Sequence, residues 1–406
     1  MKKLAVTLIA VFFCANYSAA EQKNIPAVVV SSADVIKEME EIIASSYYRQ
    51  DINARAFAED LFIGKSSSDD PHSQYFPPVQ RQALENEMRG IIYGIGVLIE
   101  RKTVRNKKSV KNFLSVKEVV KNSPAEKAGL QSGDYVIAVA SDGVKGHLIF
   151  LDGKSYERVI YLIRGEKDTP VYIRILRRGK KLDFIIVRGE IKQELVFGKF
   201  VRPGVGYVYL AEFFGDDTLD NFSVLVSSMQ KNGMKALILD LRDNPGGSLD
   251  YAIKISKWFQ EPENNGPVVF FKSRGYIFID IRTQISNIVF SLSQGKFHDI
   301  PLVVIVNGNS ASASEIVSVF LKNYCGVPVI GEKTYGKGTV QNVISLSNGG
   351  ILKITIAEYL VGERKIQVNK IGVNPTIEIK NPNKVRNEKE DAQFQRAIKE
   401  AEMLIK

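Results

Sequence analysis

Three serines in a run of small residues are the first candidates for covalent chemistry in this sequence. Ser310, Ser312 and Ser314 alternate with alanines between the apolar run 301–306 and a stretch whose apolar residues recur at helical spacing. A serine at a strand-to-helix junction lies beside the unpaired N–H groups and positive dipole end of the helix, which can stabilise an oxyanion. The alternative is that these serines only cap the helix, a role that serine favours.

A serine nucleophile needs a base, and Lys337 is a candidate because it lies between Gly336 and Gly338. Glycines allow a tight turn or a close backbone approach that a surface lysine would not require. Lowering a lysine pKa from about 10.4 to about 7 costs roughly 4 kcal/mol, which burial can supply. Serine–lysine pairs are a known variant of the catalytic triad. The Gln341 amide could hold the lysine in place. The alternative is that Lys337 lies in an ordinary turn with no catalytic role.

Paired glycines form the third notable feature. Gly246 and Gly247 follow the apolar run 236–241, so their backbone can approach a ligand at the end of a buried strand. A glycine N–H there could donate to an oxyanion. An ordinary strand-to-helix turn would explain the same residues.

Composition excludes several other mechanisms. The chain has 406 residues, is 45% hydrophobic and 25% charged, and has a formal net charge of +10, which is typical of a globular protein of two or three domains. Cys14 and Cys325 are too few for a disulfide framework or a cysteine zinc site. His72, His147 and His298 lack metal-ligand spacing. We therefore predict no metal and no cofactor.

The N-terminus predicts an export signal. Lys2 and Lys3 precede the apolar run 4–14, and small residues at 18–20 offer a cleavage site after Ala20. The run is too short to span a bilayer. An uncleaved N-terminal anchor is the alternative.

Basic residues are concentrated between positions 101 and 111. An acidic partner or a membrane surface would explain them, and so would a solvated hairpin tip. No aromatic residues interleave with these charges, so we predict no nucleic-acid binding. The residues are Arg101, Lys102, Arg105, Lys107, Lys108 and Lys111.

The pattern of apolar residues divides the chain into parts. Helical spacing recurs over 34–50, the polar stretch 66–78 is typical of a loop, and alternation suggests strands throughout 91–190. From 195 to 380, buried strands alternate with helices, which indicates an α/β layer architecture. We predict a signal peptide at 1–20, a helical region at 21–90, a β-rich module at 91–190, an α/β core at 191–380 and a helical tail at 381–406.

Several separated motifs occur in an order that resembles the carboxyl-terminal processing proteases, also called tail-specific proteases. The strongest are 237–247 (LILDLRDNPGG), 306–316 (VNGNSASASEI) and 331–341 (GEKTYGKGTVQ), and weaker ones lie at 70–75 and 123–130. The resemblance covers the chain from about residue 35 to its end. It implies a crotonase/ClpP-like α/β core with an inserted PDZ domain.

The resemblance also implies roles for individual residues. Ser312 falls on the family's nucleophile, Lys337 on its general base and Gln341 on the supporting glutamine. The oxyanion donors would be the backbone N–H groups of Ala313 and of Gly246 or Gly247. Some relatives carry an acid near the end of the nucleophile's helix, where this sequence has Asn323.

Residues 91–190 resemble a PDZ domain, which in this family binds substrate C-termini. Gly94, Ile95, Gly96 and Val97 match the loop whose N–H groups take a terminal carboxylate. The peptide would add as a strand to a sheet edge, with an apolar pocket for its last side chain.

These features predict an exported serine endopeptidase that acts near the apolar C-termini of protein substrates. The bacterial periplasm is the expected location, with an extracellular or membrane-anchored protein as the alternative. An activator or adaptor protein and a homodimer or higher oligomer fit the same hypothesis. There are two alternatives. One is a C-terminus-binding scaffold with little or no hydrolysis, and the other is a non-proteolytic enzyme on a crotonase-like core, since fold does not fix function.

Overall fold

The computed structural model describes residues 30–65, 70–106, 109–151, 156–192, 194–264, 266–278, 294–381 and 388–405. The predicted signal peptide at 1–20 and the cleavage site after Ala20 lie outside these residues. No helix within the described residues is both long and apolar enough to span a membrane.

Helices and one short strand make up the N-terminal part. The helix predicted over 34–50 ends at Ser46, because Tyr47 turns to an extended backbone and buries its ring. The stretch 66–78, predicted as a loop, contains a strand that pairs with residues 351–353. Propensity alone could not reveal this strand, because its partner is distant in sequence. The elements are α1 (Ser32–Ser46), α2 (Ala54–Phe62), β1 (Gln74–Phe76) and α3 (Pro78–Met88).

The β-rich module has its own hydrophobic core. Its elements are β2 (Ile91–Gly94), β3 (Val97–Asn106), β4 (Ser109–Val119), α4 (Pro124–Ala128), β5 (Tyr135–Ala140), β6 (Ile149–Phe150), α5 (Tyr156–Ile163), β7 (Pro170–Arg177), β8 (Lys180–Val187) and β9 (Gly189–Lys192). An antiparallel sheet runs β3-β4-β5-β7-β8, with β6 against β5. Strands β2 and β9 pair as a separate ribbon at the two ends of the module.

Short-range signals in this module are confirmed. Ser123 caps α4 by accepting a hydrogen bond from Glu126 N, and Gly129 ends the helix at φ 87°. The basic stretch lies on the β3–β4 hairpin, whose strands pair from Val97 and Val119 outward. Lys107 and Lys108 lie outside the described residues.

A mostly parallel sheet forms the centre of the C-terminal part. It runs β10-β11-β12-β15-β16-β20, and only β10 and β11 are antiparallel. The elements of this part are β10 (Val196–Arg202), β11 (Val205–Leu210), α6 (Thr218–Lys231), β12 (Ala236–Asp240), α7 (Leu249–Phe259), β13 (Val269–Ser273), β14 (Tyr276–Phe278), β15 (Leu302–Val306), α8 (Ala313–Tyr324), β16 (Val329–Gly331), β17 (Thr339–Ser345), β18 (Ile351–Val361), β19 (Ile366–Gln367), β20 (Ile377–Glu378) and α9 (Ala392–Leu404).

The apolar runs of the sequence form strands of this sheet that are buried on both faces. Leu237 and Leu239 point into the main core with α6, α7 and α8, whereas Ile238 and Ile305 point to the opposite face, which α9 covers. Burial on both faces explains why β12 and β15 read as continuous apolar runs. Layers of helices therefore enclose the strands whose ends carry the candidate site.

A second sheet is centred on β18, which pairs with β1, β13, β17 and β19. Helices α1 and α2 pack on one end of it through a shared apolar cluster that includes Met39 and Ile354. This sheet carries Gln341 on β17 beside Thr355 on β18. The N-terminal part is therefore joined directly to the core rather than forming a separate unit.

Candidate active site

The loop between β15 and α8 uses its three serines differently. The Ser310 hydroxyl donates to Leu241 O at 2.8 Å, and the Ser314 hydroxyl donates to Asn244 O at 3.0 Å. Both hydroxyls therefore tie this loop to the loop that follows β12. Ser312 is partly exposed and immediately precedes α8. Of the three serines, it is the one placed to react with a ligand.

The backbone of Ser312 is strained. Its φ of 55° and ψ of −114° lie in a region that residues with a Cβ rarely adopt, at a cost of about 1–3 kcal/mol. The Ser312 N–H donates to Glu315 Oε2 at 2.8 Å, which helps to hold this conformation. A sharp turn between strand and helix presents a nucleophile's hydroxyl away from the main chain. The strain is therefore consistent with a functional role for this residue.

Paired glycines let the β12–α7 loop lie against Ser312. A Cβ on Gly246 would fall 2.7 Å from the Ser312 Cβ, and one on Gly247 would fall 2.6 Å from the main-chain carbonyl of Phe213. The Gly246 N–H donates to Asn244 Oδ1 at 2.9 Å. In the described part of the chain, the N–H groups of Gly247 and Ala313 have no hydrogen-bond partner. These two groups are therefore better placed than that of Gly246 to receive an oxyanion.

Lys337 lies in the turn between β16 and β17. Its Nζ donates to Gln341 Oε1 at 2.8 Å. The flanking glycines are required by packing, since a Cβ on Gly338 would fall 2.3 Å from a main-chain nitrogen and one on Gly336 would fall 3.0 Å from another. Among the described residues, no hydrogen bond joins Lys337 Nζ to the Ser312 hydroxyl.

Burial lowers the pKa of Lys337 to about 8 from its ordinary value of 10.5. The positive charge of Lys353 lowers this pKa further, whereas the carboxylates of Glu315 and Asp70 raise it. Desolvation disfavours the charged form of an amine, so the burial effect exceeds the attraction of the two acids. The site therefore raises the fraction of neutral lysine, the form that can accept a proton.

Glu315 holds the serine and lysine segments together. Its side chain is fully buried. Oε2 accepts from Ser312 N at 2.8 Å and Lys337 N at 2.9 Å, whereas Oε1 accepts from Gly336 N at 2.6 Å and Thr334 Oγ1 at 2.5 Å. Burial raises the pKa of Glu315, and the four hydrogen bonds oppose that change. One carboxylate thus sets the position of both loops.

Tyr359 makes a second link between the same loops. Its hydroxyl lies 2.7 Å from Lys337 O and 3.2 Å from Ser312 O, so its single proton is shared between two carbonyls. Burial raises the pKa of Tyr359 well above its usual value, which keeps the phenol protonated. Glu315 and Tyr359, which we call the loop clamp, therefore join Ser312 and Lys337 through their main chains.

The proposed carboxylate-binding residues lie in the β-rich module. Gly94 ends β2, Val97 begins β3, and Ile95 is buried in the module's core. Gly96 has φ 80°, and a Cβ there would fall 2.3 Å from the Ser123 Cβ. No hydrogen bond among the described residues joins positions 94–97 to the loops that carry Ser312 and Lys337. The structure therefore places the two predicted sites in separate parts of the fold.

Sequence reasoning missed the clamp. Glu315 follows Ser312 by three residues, which is the capping-box spacing, so this signal could have pointed to it. Tyr359 had no such signal, because it reads only as one apolar position in a strand. Asn323, near the end of α8, donates its side-chain N–H to Val319 O within the same helix.

Comparison with known proteins identifies the class. A model described as peptidase family S41 matches residues 204–379, and a PDZ domain model matches residues 115–177. The photosystem II D1 C-terminal processing protease has a similar fold, with a TM-score of 0.51, 23% identity, and coverage of 90% of this chain and 97% of that one. The protein is therefore a serine-type peptidase with an S41 fold and a PDZ domain.

Two relatives define the family within that class. Carboxy-terminal processing protease CtpA of Bacillus subtilis (strain 168) is 29% identical over 380 residues, covering 93% of this chain and 75% of the relative. The carboxy-terminal-processing protease of Bartonella bacilliformis is 31% identical over 331 residues, covering 80% and 70%. The chain belongs to the carboxy-terminal processing protease family.

Proposed function

We propose that the protein is an exported endopeptidase that captures protein C-termini with its PDZ domain and cleaves near that end. Ser312 is the nucleophile, Lys337 the general base and Gln341 the residue that holds the lysine. The observation that carries this proposal is the loop clamp, which joins the strained serine to a partly buried lysine of lowered pKa.

In acylation, Ser312 Oγ attacks the scissile carbonyl while neutral Lys337 takes the hydroxyl proton. The N–H groups of Gly247 and Ala313 stabilise the oxyanion. Lys337 then gives its proton to the leaving amine, and water attacks the ester with the same lysine as base. Proton transfer requires the Ser312–Lys337 hydrogen bond to form when substrate binds, since catalytic hydrogen bonds often tighten only in the complex.

The pKa of Lys337 sets the pH range of activity. With a pKa of about 8, roughly one lysine in ten is neutral at pH 7, whereas fewer than one in a thousand would be neutral at the ordinary value. The neutral amine is the base, so kcat/KM should rise with pH and level off above about pH 8. An acid limb near pH 5 instead would exclude Lys337 as the base.

Capture of C-termini is supported by the position of residues 94–97. They run from the end of β2 to the first residue of β3, which is an edge strand of the module's described sheet. A substrate tail could extend that sheet while the N–H groups of the preceding loop bind its carboxylate. The half-exposed Leu98 on β3 would then contact an apolar tail.

Location and assembly are further parts of the proposal. The predicted signal at 1–20 supports export, with the bacterial periplasm as the expected location and an extracellular or anchored form as the alternative. Substrates would be proteins with apolar C-termini. An activator or adaptor protein and a homodimer or higher oligomer belong to the same hypothesis.

The test compares the purified protein with Ser312→Ala and Lys337→Ala on one unfolded protein that carries either an apolar or a charged C-terminal tail. We expect only the parent to cleave, and to cleave the apolar-tailed substrate faster. Cleavage by either variant at the parent's rate would refute the catalytic pair. Tight tail binding by all three proteins without any cleavage would favour the scaffold function.

A further inference from the structure

A buried carboxylate outside the catalytic loops is connected to the lysine by hydrogen bonds. Asp70 is 3% exposed. It accepts hydrogen bonds from His72 N at 3.1 Å, Ser73 N at 3.2 Å, Ser73 Oγ at 2.6 Å and Thr355 Oγ1 at 3.0 Å. Thr355 Oγ1 in turn lies 3.2 Å from Gln341 Nε2. The mechanism above gives Asp70 no role.

The direction of each hydrogen bond in this chain follows from Asp70. An ionised carboxylate can only accept, so Thr355 must point its one hydroxyl proton at Asp70. The Thr355 oxygen is then an acceptor for the Gln341 amide. Gln341 Nε2 donates to Thr355 and also to Thr339 Oγ1 at 2.9 Å. This leaves Oε1 as the atom that faces Lys337, at 2.8 Å.

The opposite orientation of the Gln341 amide would be harmful. It would present the NH₂ group to Lys337, and a neutral amine can meet such a donor only with its lone pair. That lone pair must remain available for the Ser312 proton. The flipped amide would also place Oε1 against the Thr355 oxygen, whose proton is already bonded to Asp70. A catalytic base therefore needs Gln341 in the orientation that Thr355 imposes.

We propose that Asp70 is a positioning residue for the catalytic base: through Thr355 it orients the Gln341 amide so that the Lys337 lone pair stays available for Ser312. The proposal rests on the proposed function of Ser312 and Lys337. Asp70 acts through two intervening side chains and contacts neither substrate nor reacting atoms.

The charges around the lysine allow this role to be separated from a purely structural one. The groups that influence Lys337, or respond to it, are Lys353, Glu315, Asp70 and His72. Because the Asp70 charge raises the pKa of Lys337, neutralising Asp70 should move the acid limb of kcat/KM to lower pH. Removing only the Thr355 hydroxyl keeps that charge and should leave the limb near its original pH.

The experiment compares Asp70→Asn, Thr355→Val and Thr355→Ser in the full chain, with Ser73→Ala as a matched control. Ser73→Ala removes a buried hydroxyl that donates to Asp70, accepts from Thr355 N at 3.0 Å and lies 3.4 Å from Thr355 Oγ1, but makes no hydrogen bond with Gln341. We expect Asp70→Asn and Thr355→Val to lower kcat 10- to 100-fold at the pH plateau, with KM within twofold. Thr355→Ser and Ser73→Ala should stay within threefold of the parent.

Two results would overturn the proposal. One is that Asp70→Asn and Thr355→Val keep kcat within threefold. The other is that Ser73→Ala or Thr355→Ser loses as much kcat as Thr355→Val. If Asp70→Asn does not fold, the two Thr355 variants decide. Ser312→Ala and Lys337→Ala are measured alongside, because their inactivity combined with a fully active Asp70→Asn would refute only the positioning role.

Discussion

Replacing Lys337 with methionine should stabilise the protein while abolishing its activity. The lysine pKa falls from 10.5 to about 8 mainly because burial disfavours the charged amine. At 1.36 kcal/mol per pKa unit, this difference is a cost of about 3 kcal/mol to the folded state. Methionine has a similar length and carries no charge. Losing the hydrogen bond to Gln341 offsets about 1 kcal/mol of the gain, which leaves about 2 kcal/mol at pH 7.

The pH dependence of this gain has a definite sign. Below about pH 8 the lysine is charged in both states, so the folded parent bears the full cost. Between pH 8 and 10.5 the folded lysine loses its proton before the unfolded one, and the parent becomes more stable as pH rises. The advantage of Lys337→Met should therefore shrink over this range, reach zero near pH 9.5 and become a deficit of about 1 kcal/mol by pH 10.5, where only the lost hydrogen bond remains.

Urea unfolding of the parent and Lys337→Met at pH 7, 8.5 and 10 tests this reasoning. Lys333→Met is the control, because Lys333 is exposed in the same connecting segment. Its stability should follow the parent's at every pH. Two results would refute the claim that the site holds the lysine at the expense of stability. One is a Lys337→Met protein that is less stable than the parent at pH 7. The other is a gain in stability that has the same size at all three pH values.

Three further substitutions test the site. Tyr359→Phe removes the proton shared by the two catalytic loops, and should lower kcat about tenfold and the free energy of unfolding by about 1–2 kcal/mol; unchanged kinetics would argue against the clamp. Gly246→Ala should lower kcat more than 100-fold, because its Cβ would fall 2.7 Å from the Ser312 Cβ. The control is Gly233→Ala, at a position with φ 89° and open space around it, and this variant should stay active. Equal losses of kcat in the two glycine variants would implicate backbone strain alone. Gln341→Glu should raise the lysine pKa by 1–3 units, moving the acid limb of kcat/KM upward; an unmoved limb would exclude this contact.

Local signals were sufficient to predict which residues meet at the candidate site. The three serines, the Gly-Lys-Gly turn and the paired glycines depend on residue type and close spacing, and the structure brings Ser312, Lys337 and Gly246 to adjoining loops. The caps of α4 were predictable for the same reason, since Ser123 and Gly129 act within one helical turn.

Contacts between distant segments could not be predicted in the same way. Strand β1 was missed because it exists only as a neighbour of β18, and Asp70 meets Thr355 across 285 positions of sequence. Buried acids are uncommon unless they are paired or hydrogen-bonded. A sequence does not show which hydroxyl will supply that bond, so the part of the site that orients Gln341 becomes visible only in the fold.

The arrangement of the two buried acids explains how the lysine can have a low pKa beside them. A carboxylate in direct contact would raise the pKa of Lys337 and hold its proton. Glu315 instead receives three main-chain N–H groups and a hydroxyl, and Asp70 receives two N–H groups and two hydroxyls. The lysine's partner is the neutral Gln341 amide. Both acids can therefore position the site while burial still holds the pKa of the lysine below its ordinary value.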